Sequence, residues 1–339
     1  MHKMLEYADV VFGSSIGDEG KGKIVSHLAS SGEYDMIARW AGGNNAGHTV
    51  YVDGEKYKTH LVPSGVFHGI KSVVGPGCVL HPESFMKEIQ YLEDAGFDTS
   101  LVKVSPRCHI VTDEHIEFDK ANLAGKLGTT ARGIAPSYAA KAARNGILAK
   151  DVLPPELIWD EVITGRVLCE GAQGIWLDVD HGNYPYVTSS NTLPYAASSL
   201  GFPPQKIRRI YGAIKIYDTR SGVDPLFPKK LFDDPVLSRI GELGGEFGVT
   251  TGRRRSVNWL RLDLLIKATN MAGTTHLVMN KCDIFGQLSD EGHELKLIFG
   301  DSFLHFSNLD DCIKLIKERV IESCPLIEEV IFSYSPEKI

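Results

Sequence analysis

The sequence predicts an α/β protein: a largely parallel sheet flanked by helices, with long loops inserted between the elements. Three observations carry this. Short apolar runs alternate along the chain with stretches of helical apolar spacing, the pattern of strands joined by crossover helices. The 34 glycines among 339 residues exceed the usual share of roughly 7% and gather in loops between those runs. No internal repeat, low-complexity tract or linker interrupts the chain, so one domain over residues 1–339 is expected.

In chain order, residues 8–12, 36–39, 72–75, 167–169, 210–216, 276–279 and 330–333 are short and mostly apolar, as buried strands are. Residues 24–29 predict a helix start behind the first glycine loop. Residues 82–95 predict a helix with Pro82 in its first turn and Gly96 just past its end. Residues 258–271 and 310–322 also carry helical spacing. Asp310 and Asp311 open the latter, where the helix dipole favours negative charge.

Composition narrows the function classes. Hydrophobic residues at 43% and charged residues at 23% describe a globular chain and exclude disorder and fibrous repeats. A net charge of −7 argues against a nucleic-acid surface, whose footprint is a strongly basic face. No apolar run approaches the roughly 18–20 residues that span a bilayer, and residues 1–9 lack the apolar stretch of a signal peptide. Neither nucleic acid nor membrane is expected as a partner. Cys78, Cys108, Cys169, Cys282, Cys312 and Cys324 lie far apart, with no C-x-x-C pair to suggest disulfides or zinc. A cytoplasmic location is expected.

The glycine clusters carry the chemistry. GDEGKGK at 17–23 follows the first strand and precedes a helix, so backbone N–H groups and the helix dipole would face an anion, with Lys21 and Lys23 suited to phosphate. Ile24 replaces the hydroxyl that holds magnesium in the usual phosphate loop, leaving Asp18 as a metal ligand or a base. GGNNAGHT at 42–49 offers Asn45 amide contacts and His48 for proton donation or acceptance. GTTARGIAP at 128–136 and EGAQG at 170–174 follow, and Gln173 can read a base edge or a phosphate. Asp178, Asp180 and His181 suit capping and turns better than a metal. VTTGRRR at 249–255 suits carboxylate or phosphate, because guanidinium binds either through two parallel hydrogen bonds. NKCD at 280–283 suits guanine, whose N1–H and 2-amino donors meet one carboxylate.

In this order, with DHGNYPYVTSSNT at 180–192, the segments resemble the adenylosuccinate synthetase family from Gly13 to about Pro336. The resemblance implies a mixed, largely parallel sheet like that of the P-loop NTPases. It also implies GTP-dependent ligation of IMP and L-aspartate to adenylosuccinate on the route to AMP, through 6-phosphoryl-IMP, with release of GDP and phosphate. The alternative is a GTP-binding switch with no ligase activity, which has no need of His48 or the arginine loop.

Carried over residue by residue, the resemblance makes Asp18 the base and His48 the donor toward the phosphoryl oxygens. Magnesium would sit on the Asp18 carboxylate and the Gly47 carbonyl. GTP would take Gly17, Asp18, Glu19, Gly20, Lys21, Gly22, Lys23, Gly47, His48, Thr49, Arg255, Lys281, Cys282, Asp283, Ser333, Tyr334 and Ser335. IMP would take Asp18 to Lys21, Asn45, Ala46, Gly47, His48, Thr130, Gln173, Thr188 and Arg253, with Arg144 supplied by the neighbouring subunit of a homodimer. Val249, Thr250, Thr251, Gly252, Arg253, Arg254 and Arg255 would hold the aspartate carboxylates. The chain departs from the family at Ser14-Ser15-Ile16, where a glutamine and a tryptophan are usual, and at Ser335, where a glycine is. It is also shorter than many members.

Overall fold

The computed structural model describes residues 4–247, 252 and 254–339. Its main sheet has eight strands, in the order Glu329–Phe332, His276–Asn280, Ile207–Lys215, Leu5–Gly13, Gly165–Glu170, Met36–Arg39, Lys71–Val74 and Val102–Val104. Every neighbouring pair is parallel. All the expected strands are in it; the addition is the short edge strand Val102–Val104, too brief for a periodicity to show. Antiparallel ladders lie apart from this sheet, pairing Tyr217–Arg220 with Ser256–Trp259, Leu295–Phe299 with Ser302–Phe306, and His48–Val52 with Glu55–Thr59.

Side chains alternate across a strand. Val10 and Phe12 join one core cluster with Ala38, Val167 and Cys169, whereas Val11 joins another with Ile37, Leu168 and Ala213. Both faces are covered, which is why these strands read as apolar runs and not as alternations.

The Lys21–Ala29 helix packs Ile24 and Val25 into the Val11 cluster. Pro82–Asp94 matches its expected span, and its buried Glu88 accepts from the N–H groups of His60 (2.8 Å) and Val62 (2.9 Å) just beyond the His48–Thr59 hairpin. One expectation fails. The helix expected from residue 258 begins at Leu262, because Ser256–Trp259 pairs as a strand with Tyr217–Arg220 and turns both Val257 and Trp259 into the core. Trp259 lies three residues before Leu262, in phase with the helical apolar spacing that follows.

Among the described residues no helix is long and apolar enough to cross a membrane. Since the strands of the main sheet run one way, their C-terminal ends share an edge. There Arg39 lies level with Glu170, and Lys215 level with Asn280. Loops above this edge enclose a cavity of about 1190 Å³, where open α/β sheets place their ligands.

Candidate functional site

The loop after the central strand takes left-handed backbone at Gly17, Asp18 and Gly20. At Gly20 (φ 89°) a side chain is doubly unwelcome, since a Cβ would lie 3.0 Å from Asn280 Nδ2. That amide donates to the Glu19 carbonyl at 2.7 Å, fastening the 280–283 segment to the loop. The Glu19 carboxylate turns inward, accepting from Gly17 N at 2.7 Å and pairing with Lys21 Nζ at 2.6 Å. Glu19 therefore shapes the loop, while the start of the Lys21–Ala29 helix borders the cavity and offers its N–H groups to an anion.

Lys23 Nζ donates to Ser333 Oγ (2.6 Å) and to the carbonyl of Ser335 (3.0 Å), tying the C-terminal segment to the same helix. Burial pushes its ammonium down to about 8, against the pull of Asp283. The departures from the family pattern are absorbed locally. Ser15 Oγ donates to the buried Asp218 carboxylate at 2.7 Å, and Ile16 packs with Leu177 and Phe227.

Asp18 meets Arg255 Nε at 2.9 Å and accepts from Ser221 Oγ at 3.2 Å, both at Oδ2. Arg255 in turn pairs through Nη1 with Glu246 at 2.6 Å, and Glu246 also takes Lys215 Nζ (3.1 Å) and the Tyr217 hydroxyl (2.7 Å). Burial works to raise the Glu246 carboxyl, but Lys215 and Arg255 outweigh it and hold it at about 2.

His48 opens its hairpin across the cavity floor, with Nδ1 in a short hydrogen bond to Glu170. The Glu170 Oε2 accepts from Ser64 N at 2.8 Å. Burial works against the charge of this carboxylate, but His48, Arg39 and the Ser64 N–H together keep it ionised. The hairpin turns at Asp53-Gly54, both with positive φ, a two-residue pattern characteristic of tight hairpins.

The cavity brings together residues 17–23, Asn45, Ala46, Gly47, His48, Thr49, Thr130, Gln173, Thr188, Gly252, Arg255, Lys281, Asp283 and Ser335. Others stand apart. Cys282 is buried beneath the site, where its N–H donates to the Ser333 carbonyl at 3.1 Å. Ser333 holds Lys23 instead of bordering the cavity, and Tyr334 is exposed beside it. The Arg254 guanidinium lies over the Phe232 ring. Arg144 is exposed in left-handed backbone at the end of the Ile134–Ala143 helix. Val249, Thr250, Thr251 and Arg253 lie outside the described residues.

Lys215, Arg220, Ser221, Glu246 and Asn280 also border the cavity without having been singled out, and Glu170 supports it from beneath. Glu170 and Asn280 lie inside the EGAQG and NKCD motifs, where Gln173 and Asp283 carry the more legible chemistry. The other four gave no local signal, since their relevance depends on strand register and on ion pairs distant in sequence.

A parallel sheet whose C-terminal edge carries a glycine–lysine loop, a helix start and a cavity defines a phosphate-binding α/β protein. The comparisons name the kind. Residues 10–164 and 156–291 match the family model described as adenylosuccinate synthetase, and the chain belongs to that family. The adenylosuccinate synthetases of Streptococcus sanguinis and Streptococcus gordonii are 37% and 39% identical to it, over 82% of this chain and 77% of theirs. The fully ligated adenylosuccinate synthetase of Plasmodium falciparum superposes with a TM-score of 0.83 at 27% identity, covering 98% of both chains. The succinoaminodeoxyadenylate synthetase of cyanophage S-2L shares the fold, with a TM-score of 0.73 at 18% identity over 98% of this chain and 94% of that one.

Proposed function

We propose that this protein ligates IMP to L-aspartate, converting GTP to GDP and phosphate and forming adenylosuccinate. The observation that carries the reading is that Asp18 and His48 border one cavity together with the glycine–lysine loop and Asp283. Family membership supports the same reaction. Guanine would lie at Asp283, whose carboxylate accepts the paired donors that adenine lacks. The phosphates would lie at the loop N–H groups and Lys23.

Oxygen on C6 of IMP is a poor leaving group, so it is phosphorylated first. Asp18 takes the N1 proton, which makes O6 nucleophilic toward the γ-phosphate. His48 donates to the phosphoryl oxygens as their charge develops. The amine of aspartate then displaces phosphate from C6, its carboxylates held by the 249–255 loop. Arg255 has to release Asp18 as substrates enter.

The Asp18 carboxylate and the Gly47 carbonyl, both at the cavity, are hard oxygen donors of the kind magnesium takes alongside nucleotide phosphates. Magnesium bound there would neutralise phosphate charge. Arg144 lies outside the cavity and exposed, which fits a homodimer in which it reaches the partner's IMP. A single catalytic domain over 1–339 in a reducing cytoplasm fits the six free, buried cysteines.

The test is a spectrophotometric assay of purified protein with GTP, magnesium, IMP and aspartate, each left out in turn. The ultraviolet change of a 6-oxopurine becoming a 6-aminopurine should need all four. Phosphate release from GTP alone, with no purine change, would reject the ligase in favour of a switch.

A further inference from the structure

Glu170 closes the Gly165–Glu170 strand, beside the central strand and level with Arg39, and its side chain is fully buried. Its carboxylate is held at two points. Oε2 accepts from Ser64 N at 2.8 Å, which fixes its plane, and Oε1 meets His48 Nδ1. The imidazole is boxed in as well. A Cβ on Gly22 would lie 2.9 Å from His48 Cβ, so the start of the Lys21–Ala29 helix presses directly on the ring's root. The other charges facing the pair are the Arg39 guanidinium and the Lys21 ammonium.

A carboxylate accepts and cannot donate, so an ionised Glu170 keeps a proton on Nδ1. Nε2 is then the nitrogen left for a ligand in the cavity. A ring held through Nδ1 against Glu170 turns its other nitrogen, Nε2, toward the cavity that His48 borders.

We propose that Glu170 is a positioning residue of the ligation, holding His48 in the orientation that presents Nε2 to the phosphoryl group being transferred. This rests on the reading of His48 given above. The competing account makes the pair a buried strut that merely steadies the sheet edge.

A kinetic double-mutant cycle separates the two. Glu170→Gln keeps size and the bond to Ser64 N but removes the charge, and it should lower kcat about 10²-fold, in the range of a lost proton-transfer partner. KM for GTP and IMP should stay within about threefold, since neither substrate touches Glu170. Placed on top of His48→Asn, the same change should cost nothing further, because it acts through the ring. Nitrogen NMR of His48 should find a proton on Nδ1 in the parent and lose it in Glu170→Gln.

An unchanged kcat, or a loss that multiplies with that of His48→Asn, overturns the proposal while leaving the ligase reading intact if the parent makes product. A parent that makes no product overturns the ligase reading, and with it the role assigned to Glu170. If Glu170→Gln does not fold, Glu170→Asp carries the same comparison, since it withdraws the carboxylate from Nδ1 by one methylene.

Discussion

Glu246 shows how much of this site depends on single charges. Its carboxylate is buried among Lys215, Tyr217 and Arg255 and lies at about 2 in the folded chain, below the ordinary 4.5. A carboxyl depressed on folding contributes stability that is present above its unfolded value and lost as pH falls through the folded one. The shift corresponds to about 3 kcal/mol at neutral pH. Urea unfolding of Glu246→Gln should therefore show a loss of about that size at pH 7, shrinking between pH 4.5 and 2. A difference that stays constant across that range would remove the ion pairs as its cause. Little of this was legible in sequence, because Lys215, Glu246 and Arg255 belong to different elements and neither Lys215 nor Glu246 lies in a motif.

At the scale of elements, the decisive contact is the start of the Lys21–Ala29 helix against the His48 strand. Gly22 lies inside the helix, where alanine is ordinarily preferred by about 1 kcal/mol. Here a Cβ would come within 2.9 Å of His48 Cβ, and overpacking of that kind costs about 1–3 kcal/mol. The clash wins, because a Cβ is too close to the backbone to swing away. Gly22→Ala should be modestly destabilised, by about 1 kcal/mol in thermal unfolding, and its kcat should fall by about tenfold or more as His48 is pushed aside. A variant with full turnover and raised stability would mean that helix and strand slide apart freely. The motif marked Gly22 as part of a phosphate loop. That it is also the seat of His48 appears only once the hairpin folds back.

For the molecule as a whole, the parallel sheet gathers the chemistry at one edge and leaves Arg144 outside it. The proposed shared site makes a prediction that no monomer can meet. Asp18→Asn and Arg144→Leu should each be nearly inactive. When the two are mixed and allowed to exchange subunits, about a quarter of the sites combine an intact Asp18 with an intact Arg144. Activity should recover toward that fraction of the parent's. Mixtures that stay inactive despite exchange would mean that Arg144 does not reach the partner's IMP site.

The sequence by itself determined the buried strands, the family and the glycine–lysine loop, because those signals are local: runs of apolar residues, spacing along a strand–loop–helix unit, and motifs in a fixed order. It missed the strand Ser256–Trp259, because Trp259 is in helical phase with Leu262 and four residues are too few to show a period of two until Tyr217–Arg220 pairs with them. Only the tertiary structure decided that Glu19 faces inward, that Asp18 rests against Arg255, and that Glu170 stands behind His48. Each of these is a choice of partner for a charged group, fixed by strand register and by the cost of leaving a charge unpaired away from water.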